Sequence, residues 1–309
     1  MRALAVVAVF GLGCGGHGAH PPTTTEPIHP VARTAGDRIL PLLPEGAQVI
    51  IELDLARLRS NPVVGQLVTT ALTGPPLPVM TADVPFSPLA HADTVVLASY
   101  GVGTSQAATV TIIATREAVP HSVSLGEGLV ALGPEVWTAQ LEARAALAGA
   151  GANVPIVASA DLLALRDHAM PAGAPGAALR ITARLSFDAR VALARQTGLD
   201  APPGQISIWG DVVDDLAIIV DADAVDPGDK KTKHPTRRLE TGMRGMLAAL
   251  AGESAIQTLG IPESLAQARI VAQGTWVRTI IAIGPAHLHR VVERAGALLT
   301  TPPLAPGKS

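Results

Sequence analysis

The sequence predicts an α+β fold: two similar, mostly antiparallel sheet units with helices packed on one face, arranged as a tandem duplication. Three observations carry this. Short β-branched apolar runs come in pairs around Gly-containing turns, as in hairpins. Segments with apolar residues three and four apart, bounded by capping residues, lie between them. Finally, Leu129-Val-Ala-Leu-Gly-Pro134 corresponds to Ile280-Ile-Ala-Ile-Gly-Pro285 at a constant offset of 151 (280 minus 129). The offset continues through Trp137 and Leu288, Leu141 and Val292, and Glu142 and Glu293. Two unrelated units built from the same helix and strand grammar remain the alternative.

Residues 1–13 have the order of a secretory signal: Arg2, an apolar run from Ala3 to Phe10, then small residues. The run is too short for a membrane helix, which needs about 20 apolar residues. It leads to Cys14, the only cysteine of the chain. Gly11-Leu12-Gly13-Cys14 resembles the lipobox of bacterial lipoproteins, although Gly11 stands where Leu is usual. The resemblance implies a lipid-attachment cysteine at Cys14, acylated through sulfur and new amino terminus. The competing reading is an ordinary secretory signal with an incidental cysteine. Residues 14–37 then form the lipid anchor and a linker rich in Gly, Pro, Thr and His, too poor in apolar side chains to offset the entropy of ordering. His17, His20 and His29, scattered through such a tether, read as solvated rather than metal-binding.

The first unit spans 38–152. Gln48 to Leu53 reads as a strand; Ser60 or Asn61 caps a helix with Pro62 in its first turn and Val64, Leu67, Val68, Ala71 and Leu72 on one face. Residues 75–92 are Pro-rich and irregular. Thr94 to Tyr100 and Ala108 to Thr115 form a hairpin; its Gly101-Val-Gly103 turn leads into a strand and so lacks the helix a phosphate cradle must open. His121 to Leu125 and Leu129 to Leu132 form a second hairpin, and Gly133-Pro134 starts a helix with the stripe Trp137, Leu141, Ala145 and Ala148.

The connector, 153–176, contains a strand at Pro155 to Ala158, a helix from Ser159 through His168, and a break at Pro171 to Gly176. Asp167 and His168 are adjacent and point about 100° apart on a helix, so they cannot pair as in a catalytic triad. His168 reads as a helix-end histidine. The second unit, 177–300, has a strand at Ala178 to Leu185, a Ser186-capped helix to Gln196 stopped by Gly198, and a hairpin of Gln205 to Trp209 and Leu216 to Val220.

An inserted segment follows, acidic over Asp221 to Asp229 and basic over Lys230 to Arg238, with a helix from about Pro235 whose Met243 and Met246 read as core filler. Asp221, Asp223, Asp226 and Asp229 lack the spacing and closing Glu of a calcium loop, and read as a solvated loop with Lys230, Lys231 and Lys233 as counter-charges. Arg269 to Ala272 and Val277 to Ile283 form the last hairpin, and the final helix carries Leu288, Val291, Val292, Ala295 and Leu298. His287 and His289 diverge by about 200° on it and so do not share a metal. Residues 301–309 read as a disordered tail.

Composition excludes further classes. Nearly half the chain is apolar but only 2% is aromatic, so the core is built from Ala, Val, Leu and Ile. Without Arg2 the chain has 22 basic and 26 acidic side chains, with neither a basic patch nor stacking aromatics for nucleic acid. No hydrolase motif such as Gly-X-Ser-X-Gly or His-Glu-X-X-His occurs, and no catalytic, cofactor-binding or metal-ligating residue emerges.

The opening of the first unit, Leu43-Pro-Glu-Gly-Ala-Gln-Val-Ile-Ile-Glu-Leu-Asp-Leu-Ala-Arg-Leu58, resembles the start of secreted or lipid-anchored proteins common in myxobacterial-type genomes, a family that supplies no activity to carry over. The expectation is a non-enzymatic envelope lipoprotein at the periplasmic side of the outer membrane, held by its lipid anchor and either binding another envelope protein or playing a structural role there. The alternative is a small-molecule or lipid carrier with an apolar cleft between the two units; a hydrolase is third.

Overall fold

A computed structural model describes residues 34–73, 89–150, 160–174, 176–224 and 234–300. Cys14 and the histidines of the tether, the strand expected at 155–158, Asp226, Asp229 and the three lysines, and the tail 301–309 lie outside the described residues. Ten strands form one antiparallel sheet: β1 (Val49–Asp54), β2 (Thr94–Tyr100), β3 (Ala108–Ala114), β4 (Val123–Gly126), β5 (Leu129–Leu132), β6 (Leu179–Arg184), β7 (Gln205–Val212), β8 (Leu216–Asp223), β9 (Arg269–Gln273) and β10 (Trp276–Ile283). Their order across the sheet is β4-β5-β3-β2-β1-β6-β7-β8-β10-β9.

The described helices are α1 (Ala35–Ile39), α2 (Leu55–Ser60), α3 (Gly65–Thr73), α4 (Glu135–Gly149), α5 (Ala160–Arg166), α6 (Phe187–Thr197), α7 (Pro235–Gly252), α8 (Ser254–Leu259), α9 (Pro262–Ala266) and α10 (Pro285–Thr300), with a 3-10 turn at Leu40–Leu42.

The α+β class with antiparallel strands stands as the sequence predicts. Each half also repeats one strand order: β1-β2-β3-β5-β4 in the first and β6-β7-β8-β10-β9 in the second. That shared order supports the duplication suggested by the sequence repeat. The two halves nevertheless do not form separate sheets. β1 of the first pairs antiparallel with β6 of the second, Ile51 opposite Ile181 and Glu52 opposite Arg180. Two edges that would otherwise expose unpaired backbone N–H and C=O groups satisfy each other there.

Helices cover both faces of the sheet, where the sequence predicted one. The reason lies in β2 and β3, which are apolar on both sides: Val96, Ala98 and Tyr100 alternate with Val95 and Leu97, and Val110 and Ile112 with Ile113. A strand of that kind needs cover above and below. Leu55, Leu58, Val64 and Val68 of α2 and α3 join Leu239, Met243, Ile256 and Leu288 of the insertion and α10 over one face. Ile39, Leu40, Leu42 and Leu43 join Leu141 and Ala145 of α4 and Leu162 of α5 over the other. The repeated helices α4 and α10 therefore pack on opposite faces, despite following strands of equivalent position.

Several local signals hold. Asn61 Oδ1 accepts from the N–H groups of Val63 and Val64 at 2.9 and 3.0 Å, while α2 itself is capped earlier by Asp54, whose Oδ1 accepts from Arg57 N–H at 2.8 Å. Ser186 caps α6, and Gly198 ends it in the left-handed region at φ 72°. Gly103, at φ +86°, brings its backbone so close to α6 that a Cβ would stand 2.7 Å from Ala189 N. The strands β7 and β8 run three residues longer than the apolar pattern indicates, which carries Asp211, Asp221 and Asp223 into the sheet.

Candidate functional site

Charged residues inside apolar strands concentrate on the face that α4 and α5 share. Glu52 on β1, Asp211 on β7 and Asp221 on β8 are all buried, Asp221 to 1% exposure. A buried carboxylate is tolerable only when paired and hydrogen-bonded, and each of the three meets an arginine in a two-pronged contact. Arg166, the last residue of α5, donates from Nε and Nη2 to Glu52 at 2.6 Å each, and from Nη1 to Asp37 at 2.9 Å. Arg57 of α2 donates from Nε and Nη2 to Asp211 at 2.6 and 2.5 Å. Arg278 of β10 donates from Nε and Nη2 to Asp221 at 2.8 and 2.6 Å. Planar guanidinium matches carboxylate geometry in this way and adds orientation to energy.

Arg166 fastens the connector to β1, Arg57 fastens α2 to β7, and the Arg278–Asp221 pair holds the connector through His168. Asp221 also binds His168 Nδ1 at 2.8 Å, and the His168 ring stacks on Trp276 with centroids 4.1 Å apart. Arg278 Nη2 reaches the His168 carbonyl at 3.1 Å. Asp167 turns the other way, to Arg180 of β6 at 3.2 Å. His168 is thus more than a helix-end residue: it follows α5 in a turn and is oriented by a carboxylate 53 positions away. The reading of Asp221 as part of a solvated acidic loop is corrected likewise. It is a strand residue buried against Arg278, a partner from another strand.

The electrostatics follow the contacts. The hydrogen bonds that the Arg57 guanidinium donates to Asp211 hold it above its ordinary pKa, and those that Arg278 donates to Asp221 do the same for it. For Arg166 burial works the other way, but the Glu52 and Asp37 charges outweigh it and the pKa rises. Burial also pushes the Tyr100 hydroxyl well above its ordinary range; it donates to the Pro44 carbonyl at 3.3 Å while its ring stacks on Trp137.

Asp37 is the exposed end of this network. Burial acts to raise its pKa, but the Thr34 N–H and hydroxyl and the Arg166 charge together lower it below 3.8. A carboxylate with a depressed folded pKa contributes stability that is complete above its unfolded pKa and disappears as pH falls through the folded one. Urea midpoints of the native chain should therefore exceed those of Asp37→Asn at pH 6 and converge with them below about pH 4.

At the β1–β6 junction lies a shallow cleft of about 110 Å³, lined by Gly36, Glu52, Asp54, Arg57, Thr94 and Arg180 among others. Three of its charged side chains are engaged already: both Glu52 oxygens by Arg166, Asp54 by the Arg57 N–H, and Arg57 by Asp211. Gly36 is required beside it, because a Cβ there would stand 2.4 Å from Glu52 Oε2. A carrier of apolar molecules needs an apolar cavity of several hundred Å³, and the small polar junction does not supply one. Among the described residues no cluster of three His, Cys, Asp or Glu side chains could hold a metal ion. His287 points inward, its Nε2 2.7 Å from the Gly260 carbonyl, whereas His289 is exposed.

The sequence reading missed Glu52, Arg57, Arg166, Asp211 and Arg278 as a set. One signal was present: a charged residue within an otherwise apolar strand run, as at Glu52, Arg180 and Arg278, marks a buried pair whose partner lies elsewhere in the chain.

No protein-family model matches the chain, and no curated protein matches it. Among solved structures it is similar to TP0453, in its crystal form I, with 10% sequence identity and a TM-score of 0.41 over 83% of this chain and 96% of that one.

Proposed function

We propose that this chain is a non-enzymatic envelope lipoprotein, anchored through acyl groups on Cys14 at the periplasmic side of the outer membrane, where its body binds another envelope protein. The observation that carries the reading is the placement of Cys14 directly after an export segment, with no other thiol in the chain. The fold fits the role of a rigid body on a leash. From Cys14 to Thr34, the first described residue, lie 20 residues of chain. No helix of the described residues is long and apolar enough to cross a membrane. The buried carboxylates are saturated by arginines, so their chemistry is that of clamps rather than of proton transfer.

Intact-mass analysis of envelope-derived protein tests the acylation directly: the expected product begins at Cys14 and carries diacylglycerol and a third acyl chain. In fractionation, the native chain should sediment with membranes and Cys14→Ser should move to the soluble periplasmic extract. Equal membrane retention of the two would overturn the reading.

A further inference from the structure

Helix α4 is apolar on two opposite sides. Its inner stripe, Trp137, Leu141 and Ala145, packs on the sheet. Its outer stripe, Val136, Ala139, Ala143, Ala146 and Leu147, is exposed, Val136 to 63% and Leu147 to 55%. At 100° per residue these five positions and Gln140 fall on one side, with the acids Glu135 and Glu142 along one border and Arg144 along the other. Exposed apolar side chains lined up on one side of a helix mark an interaction surface. The repeat sharpens the contrast. At the offset of 151, α10 carries Arg290 and Arg294, both exposed, where α4 carries Ala139 and Ala143. At those two positions the second-half helix is charged where the first-half helix is apolar, while Ala297 and Leu298 match Ala146 and Leu147 and are exposed like them.

The chain enters the body beside this helix. Residues Ile39 to Leu43 share a core cluster with Leu141 and Ala145, and Arg144 Nη2 donates to the Pro41 carbonyl at 2.7 Å. The tether that leads back to Cys14 therefore joins the body on the side of the sheet that α4 covers. The geometry points to a lipid surface as the occupant of the outer stripe: α4 lies flat on the leaflet that holds the Cys14 acyl chains. This inference rests on the lipid-anchor reading for its tether. A leash of 20 residues keeps α4 near the bilayer, so a weak apolar contact suffices to orient the body. A second copy of the chain is the poorer occupant. A helix of 15 residues is about 22 Å long, and one stripe along it offers on the order of 250 Å², well short of the roughly 800 Å² per partner of a stable complex. The flanking acids make the contact one of apolar insertion rather than attraction to anionic lipid.

The test separates the orientation from the natural anchor. The chain from position 14 onward, carrying Cys14→Ser and an N-terminal hexahistidine, is held on phosphatidylcholine vesicles through nickel-chelating lipid. A single new cysteine, Ala143→Cys on α4 or Thr258→Cys on the exposed side of α8, carries an environment-sensitive fluorophore, and the vesicles contain doxyl-labelled phosphatidylcholine. Quenching at 143 is expected to be roughly threefold that at 258, insensitive to salt, and lost when Val136→Asp and Leu147→Asp are added. Equal quenching at the two positions overturns the inference, as does a probe at 143 already shielded without vesicles in a concentration-dependent way, which would make a second copy the occupant. Because the artificial tether replaces the acyl chains, failure here leaves the fractionation result for Cys14 standing, and failure there leaves this one standing.

Discussion

Asp221→Ala should destabilise the chain by about 3–5 kcal/mol, the usual effect of removing one partner from a buried ion pair. Asp221 is 1% exposed, and its loss strips Arg278 of both carboxylate contacts and His168 of its Nδ1 partner. For a body of this size the melting temperature should fall by about 6–20 °C. The identity of the penalty can be checked by a second variant. In Asp221→Leu combined with Arg278→Met neither charge is left unpaired, and the pair is replaced by apolar side chains of similar volume, so most of the lost stability should return. If the single and double variants melt together, the pairing is not what holds β8 and β10 at this point. Near-ultraviolet circular dichroism adds a local readout, since Trp276 stacks on the His168 ring and loses that restraint with Asp221.

Arg166→Ala is expected to be of similar size, about 3–5 kcal/mol, because it strips the buried Glu52 of both its hydrogen-bonded charge contacts. It differs in where the damage spreads. Arg166 is the single side chain that joins α5, β1 and the Asp37 of α1, so its removal should also loosen the start of the body. Hydrogen exchange should show amides of residues 35–39 losing protection, while those of β7 to β10 change little. Exchange that rises evenly over the sheet would show that Arg166 acts only on global stability. Glu52→Leu together with Arg166→Met should recover the melting temperature but not the protection of α1, since Asp37 remains without its arginine.

Much of the secondary structure was legible because its causes are local. The capping serine and stop glycine of α6, the Gly-containing hairpin turns, and the Gly133-Pro134 and Gly284-Pro285 helix starts act within a few residues of themselves. The boundaries failed where a long-range partner overrode local polarity. Asp211, Asp221 and Asp223 look like loop residues, and a strand pattern stops before them. Arg57, which stands 154 positions from Asp211, and Arg278, 57 from Asp221, neutralise the first two and let β7 and β8 run on. The candidate site showed only as charges inside apolar strand runs, and its pairings stayed hidden, since spacing along the chain says nothing about which arginine meets which acid.

By itself the sequence determined the class, the antiparallel hairpins, the repeat at positions 129–142 and 280–293, and the export-like segment ending at Cys14. Each of these is written in periodicity, turn chemistry or direct comparison of residues. Only the tertiary structure decided that two halves become one sheet through β1 and β6, and that α4 and α10 take opposite faces of it. Strands apolar on both sides demand two covers without stating which helix supplies each, so that choice is made by packing and by the arginine clamps across the sheet.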